Sequence, residues 1–278
     1  SAASDVYKRQ NDNRPIGVFD SGVGGLTFAK EIKRLLPNES LIYFGDTQNL
    51  PYGEKSKEAI TQFSVDITNF LIDNNCKAIL VACNSATANS LKEIREAAGK
   101  DVPVIDVISP VAEKVSFELR EKIGVIATKA TVNSGAYKKA IRRRNKHITV
   151  IEMATPLLVP VIEEGFTNST ISKAVLETYL LNKKLEGIDS IILGCTHYTH
   201  LEKEINQVFE GKVDIVNSPL IVVNQVIYQL AKEGKLAAKD AVANYTFYIS
   251  NNTDNIIKVA KKFFGKDIQL IEKNLETK

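Results

Sequence analysis

From residue 16 to the C-terminus, short apolar runs alternate with longer stretches of helical periodicity. The strand-like runs are 16–20, 41–44, 78–82, 102–107, 122–127, 148–152, 188–193, 213–216, 244–250 and 267–271. The helical stretches are 26–36, 57–72, 86–98, 132–141, 171–185, 201–209, 219–232 and 256–264. Several of the strand-like runs are apolar throughout, as expected of strands buried on both faces of a parallel sheet. Strands alternating with helices of this length predict an α/β fold built from βαβ units on mostly parallel sheets.

Two of the apolar runs end alike. Ala78-Ile79-Leu80-Val81-Ala82 is followed by Cys83-Asn84-Ser85, and Ser190-Ile191-Ile192-Leu193-Gly194 by Cys195-Thr196-His197. A faint internal repeat accompanies them. Ile16-Gly17-Val18-Phe19 is echoed by Ile123-Gly124-Val125-Ile126, Thr47 by Thr155 and Cys83 by Cys195, each roughly 110 positions on. Two similar domains are therefore expected, with the active site in the cleft between them. Ligands of open α/β sheets sit at carboxyl ends of strands, and small molecules favour interdomain clefts. The stretch after about residue 220 does not fit a third copy and is expected to return to the first half. The expected division is 14–108 with 222–278, then 109–221. Residues 1–13 are polar and patternless and read as a disordered tail or a non-native remnant.

Composition narrows the classes. With 36 basic and 33 acidic residues the net charge is +3, too weak for a nucleic-acid footprint. The run Arg142-Arg143-Arg144 reads as a solvated helix C-terminus. No apolar stretch is long enough to span a bilayer, and no secretory leader is visible. Three cysteines make no disulfide framework. A cytoplasmic location is expected, with Cys83 and Cys195 free and Cys76 a packing residue.

Candidate chemistry gathers at strand ends. Asp20-Ser21-Gly22-Val23-Gly24-Gly25 lies between a strand and a helix and could cradle an anion. It lacks the dinucleotide fingerprint and a following P-loop lysine. Asp20 itself would repel a phosphate; it suits an ammonium group, a nearby base or a helix N-cap. Pro51-Tyr52-Gly53, after Asp46-Thr47, is either a ligand loop or a plain turn. Cys83 stands just before a helix, where the dipole favours a thiolate, or it merely packs. Cys195-Thr196-His197-Tyr198-Thr199-His200 could tune a thiol, form a Cys–His nucleophile pair or hold a metal. Its spacing matches no standard zinc signature. His200 reads as a surface helix residue, and Glu163-Glu164 as solvated carboxylates at a helix end.

Taken together, Asp20-Ser21-Gly22-Val23-Gly24-Gly25-Leu26, Asp46-Thr47 with Pro51-Tyr52-Gly53, Cys83-Asn84-Ser85-Ala86-Thr87 and Gly194-Cys195-Thr196-His197-Tyr198 resemble, in type and order, the glutamate racemases of the aspartate/glutamate racemase family. The resemblance runs from about residue 15 to the last strand. It implies an isomerase that interconverts L- and D-glutamate without cofactor or metal and supplies D-glutamate for bacterial peptidoglycan synthesis. It also implies Cys83 and Cys195 as the acid/base pair, Asp20 assisting the first and His197 the second. Asp20, Ser21, Tyr52, Gly53, Asn84, Ser85, Thr128, Thr196 and His197 match substrate contacts. Glu163 matches the assisting glutamate, with Glu164 the alternative. A homodimer is expected, with no nucleic-acid or membrane partner.

Three positions depart from the family's habit. Ser85 stands where Thr is usual, Thr155 where Cys is common, and Thr199 where Pro usually follows, which would loosen that helix start. The rival from another class is a two-lobed amino-acid-binding protein whose cysteines only pack.

Overall fold

The computed structural model describes residues 11–275. They form two wholly parallel sheets with flanking helices. The first sheet comprises β1 (Ile16–Asp20), β2 (Leu41–Gly45), β3 (Ala78–Val81), β4 (Val104–Asp106), β9 (Tyr245–Ile249) and β10 (Leu270–Glu272). Its order is β10-β9-β2-β1-β3-β4. The second comprises β5 (Lys122–Ala127), β6 (Thr149–Ala154), β7 (Ser190–Gly194) and β8 (Asp214–Val216), in the order β6-β5-β7-β8.

The second sheet repeats the β2-β1-β3-β4 portion of the first, with β5 in the place of β1 and β7 in the place of β3. Cys83 and Cys195 thus follow topologically equivalent strands. β1, β3 and β7 are buried at every position, as unbroken apolar runs between two helical layers must be. β9 pairs with β2, from Leu41 opposite Tyr245 to Gly45 opposite Ile249, so residues 245–249 extend the first sheet.

The helices are α1 (Leu26–Leu35), α2 (Lys57–Asp73), α3 (Asn84–Ala98), α4 (Ser109–Ser116), α5 (Lys129–Ser134), α6 (Ala136–Arg144), α7 (Leu158–Glu163), α8 (Thr170–Leu180), α9 (Glu202–Val208), α10 (Ser218–Lys232) and α11 (Asp254–Phe263). Their caps match their sequences: the Ser56 hydroxyl accepts from Ala59 N–H at the start of α2, and Thr128 caps α5.

Several expected elements change shape. The helix expected over 132–141 is two helices, because Gly135 takes a left-handed φ of 63° between α5 and α6. The helix expected over 201–209 is preceded by a 3₁₀ turn, Thr196–Leu201, that carries the second cysteine motif. α4 and α7 were not separately expected; Pro110 opens the first and Pro160 sits within the second. Residues 1–10 of the expected tail lie outside the described residues. Asp12 and Asn13, counted in that tail, are bound to the fold: Asp12 N–H donates to the Leu236 carbonyl (3.2 Å), and Asn13 Oδ1 accepts from Ala238 N–H (3.0 Å). Among the described residues, no helix is long and apolar enough to cross a membrane.

Candidate active site

Cys83 ends the β3 segment and caps α3, its sulfur accepting from Ala86 N–H at 3.4 Å. Ser21 Oγ lies 3.6 Å from the same sulfur. The residue is only 4% exposed. Burial pushes the thiol up to about 12, and the nearby Asp20 carboxylate adds to the shift; bonds from Ala86 and Ser21 pull weakly the other way. In this arrangement Cys83 is a protonated thiol at neutral pH.

Asp20 ends β1, beside β3 in the sheet, and is fully buried. Its Oδ2 accepts from Gly25 N–H at 2.9 Å, just ahead of α1, and from the Thr196 hydroxyl at 3.4 Å. Its Oδ1 is buried and has no hydrogen-bond partner among the described residues. A carboxylate oxygen left bare in a buried site is costly and marks a place where a donor can bind.

Cys195 follows β7 and is 8% exposed. Its sulfur stands 3.9 Å from His197 Nδ1, and His197 Nε2 stands 3.0 Å from Glu163 Oε1 at the end of α7. Burial alone would lower the His197 pKa, but its contacts with Cys195 and Glu163 outweigh that and hold it well above 6.5. The imidazole stands between the Cys195 sulfur and the Glu163 carboxylate, and both contacts favour its charged form. Glu164 is exposed beyond the helix end, so Glu163 is the one of the two that meets His197.

α11 closes over this relay. The Phe263 ring meets His197 edge-on at 5.6 Å and His200 at 3.6 Å between centroids, and Asn255 Nδ2 donates to the Glu163 carbonyl at 3.3 Å. His200 is thus not a surface residue: it is partly buried, and burial lowers its pKa to about 4. Among the described residues, no three His, Cys, Asp or Glu side chains gather as a metal site.

The other expected contacts fall at the same junction. Ser85 Oγ and Thr128 Oγ1 are 2.9 Å apart, and Gly53 backs onto Thr128: a Cβ on Gly53 would stand 2.6 Å from Thr128 Cβ. Asn84 Oδ1 accepts from the Tyr137 hydroxyl at 2.7 Å. Tyr52 is buried beside Gly53, but its hydroxyl is committed to Asp46 Oδ2 at 2.6 Å. Tyr137 and Phe263 were absent from the expected site, because each reaches it from a distant stretch of sequence; Asp46 stood there only as the residue leading into the Tyr52 motif.

The departures have structural roles. Thr155 Oγ1 donates to Tyr198 OH (2.9 Å), which donates in turn to the Thr155 carbonyl (3.0 Å). The Thr199 hydroxyl donates to the Thr196 carbonyl at 3.1 Å. It thereby fastens the turn that it was expected to loosen.

Residues 16–226 match the family model for Asp/Glu/Hydantoin racemase. A glutamate racemase of Neisseria meningitidis serogroup A is 41% identical over 260 residues, covering 93% of this chain and 96% of the relative. The solved structure of a glutamate racemase from Francisella tularensis in complex with D-glutamate superposes with a TM-score of 0.90 at 36% identity, over 96% of this chain and 100% of that one. A glutamate racemase isoform from Bacillus anthracis gives a TM-score of 0.89 at 34% identity, over 96% and 100%.

Proposed function

We propose, for a chain that belongs to the Asp/Glu/hydantoin racemase family, that it interconverts L- and D-glutamate by a two-thiol mechanism and provides D-glutamate for peptidoglycan synthesis. The observation that carries this reading is the equivalence of the two cysteines. Each follows the corresponding strand of its sheet, and Thr196, beside Cys195, reaches Asp20 at the end of the strand next to β3, its Oγ1 lying 3.4 Å from Oδ2.

Racemisation removes a proton from one face of Cα and returns one to the other. A single immobile base reaches only one face, so two groups in opposite protonation states are needed. Cys83, deeply buried beside a carboxylate, supplies the protonated partner. Cys195, beside the charged His197, has the counter-charge that a thiolate requires. When Cys195 takes the Cα proton, Cys83 gives its own to the opposite face, and the two exchange states at each turnover.

The bare Oδ1 of Asp20 suits the substrate ammonium. The substrate carboxylates face donors from Asn84, Ser85, Thr128, Thr196 and the N-terminus of α3. Ser21, Tyr52 and Gly53 complete the walls. Positioned donors in a site closed to water stabilise charge as it develops on the carbon acid. Both sulfurs are buried here, so the two halves must part to admit substrate.

Incubation of either enantiomer in D₂O tests the reading. A racemase incorporates solvent deuterium at Cα of glutamate from both enantiomers. A two-lobed binding protein would hold glutamate without exchange, and exchange confined to aspartate would refute the substrate assignment.

A further inference from the structure

We propose that Tyr137 is a positioning residue for this reaction, its hydroxyl fixing which end of the Asn84 amide is offered to the substrate; this rests on the racemase reading above. Asn84 directly follows Cys83 and opens α3 of the first half. Tyr137 lies on α6, flanking the second sheet. Its hydroxyl meets Asn84 Oδ1 at 2.7 Å. Among the described residues, that is the only side-chain hydrogen bond Asn84 makes, and its Nδ2 end is uncommitted.

The chemistry of the two ends decides the consequence. An amide offers a donor at one end and an acceptor at the other. A dicarboxylate substrate is bound by donors and repelled by a bare carbonyl oxygen. A hydroxyl that donates to Oδ1 directs the NH₂ end away from itself and makes the wrong orientation costly. Burial, followed by the charges of Asp106 and Cys195, raises the Tyr137 pKa far above its ordinary value. The hydroxyl therefore keeps its proton throughout the working range and stays a donor.

The ring has a second contact that ties it to the other thiol. A Cβ on Gly194, the residue before Cys195, would stand 3.2 Å from Tyr137 Cε2. Tyr137 thus packs against the segment bearing Cys195 and bonds to the residue beside Cys83. It is fully buried, so neither contact is shared with solvent. Nothing in its local sequence, Ser134-Gly135-Ala136-Tyr137, signals this; the ring reads as an ordinary apolar position of a helix.

The test is a double-mutant cycle of Y137F and N84A in the full chain. Y137F keeps the ring and removes only the hydroxyl. It is expected to lower kcat/KM for glutamate about tenfold, the scale of one hydrogen bond to a charged group. In the N84A background the same change is expected to be nearly silent, since no amide remains to orient. Melting temperature and circular dichroism separate orientation from folding, because a structural role would lower activity equally in both backgrounds. An effect of Y137F at least threefold larger with Asn84 present supports the assignment, and any smaller difference overturns it.

Calorimetry with D-glutamate on the same four proteins supplies a readout independent of turnover. If the unaltered chain binds glutamate but exchanges no Cα hydrogen, the racemase reading fails, and the binding cycle alone decides Tyr137 by the same threefold criterion. If it does neither, both proposals fall.

Discussion

Gly24, after β1 of the first sheet, and Thr196, after β7 of the second, leave no room for a methyl group between them. A Cβ on Gly24 would stand 2.3 Å from Thr196 Oγ1 and 2.6 Å from His197 Nδ1. Thr196 is buried against Asp20, and His197 is pinned by Glu163, so neither can swing aside without giving up a bond. Gly24→Ala is expected to displace the Cys195 turn, lowering kcat/KM at least tenfold. Its cost in stability is about 1–3 kcal/mol, the usual range for overpacking. Paired measurements of turnover and denaturant midpoint check both, and unchanged turnover would show that the halves do not close this tightly when working.

Glu163 and Glu164 are neighbours in sequence, yet only the first meets His197. Because Glu163 helps hold the His197 pKa above 6.5, Glu163→Gln should lower it. The alkaline limb of any activity that needs the imidazolium then moves to lower pH. Stability follows the same sign. A raised folded pKa stabilises fully below about pH 6.5 and is lost as pH rises through the folded value. The deficit of Glu163→Gln is therefore greatest in mild acid and narrows toward alkaline pH. Glu164→Gln should match the parent in both pH–rate profile and melting curve.

Much of this architecture is legible in the sequence because of how its strands are buried. The runs 78–82 and 191–194 carry no polar side chain on either face, and each ends abruptly at a cysteine, so position and chemistry coincide. α4 and α7 are hidden by Pro110 and Pro160, which resemble helix breakers although one is tolerated in a first helical turn. The partners of the site residues are harder to read. Phe263 reaches His197, and Tyr137 reaches Asn84, only after the chain has folded, and each is an ordinary apolar position in its own helix. Ser85 and Thr128 share the difficulty: they follow β3 and β5, strands of different sheets, and their hydroxyls meet at 2.9 Å.

The two cysteines should differ in chemical behaviour although both are required. Cys83→Ala and Cys195→Ala are each expected to reduce racemisation by at least ~10²-fold, the lower range for a positioned acid or base, with unchanged circular dichroism. Alkylation of Cys83, followed in the Cys195→Ala chain, should accelerate only at strongly alkaline pH, toward its value of about 12. Asp20→Asn removes a negative charge from beside the thiol and keeps an acceptor for Gly25 N–H. The onset of alkylation should move to lower pH. An unshifted onset would mean that Asp20 does not govern the Cys83 thiol.

Far from this chemistry, Lys77 and Glu39 form an ion pair that the fold buries almost completely. Their side chains are 0% and 2% exposed, with Nζ 2.5 Å from Oε2. Lys77 also donates to the Asp12 carbonyl, and Glu39 Oε1 accepts from Ala237 N–H at 2.7 Å. The pair thus joins the start of β3, the α1–β2 connection, the segment before β1 and the chain beyond α10. Removing one partner strands a buried charge, at a cost of about 3–5 kcal/mol. Lys77→Met and Glu39→Leu should each lower the unfolding free energy by that margin, read as a fall in the denaturant midpoint. The double substitution should regain most of the loss, because two apolar side chains leave no charge unpaired. Turnover at 25 °C should stay unchanged in every variant that remains folded. Single variants as stable as the parent would show that the pair is dispensable and that packing alone holds these four segments together.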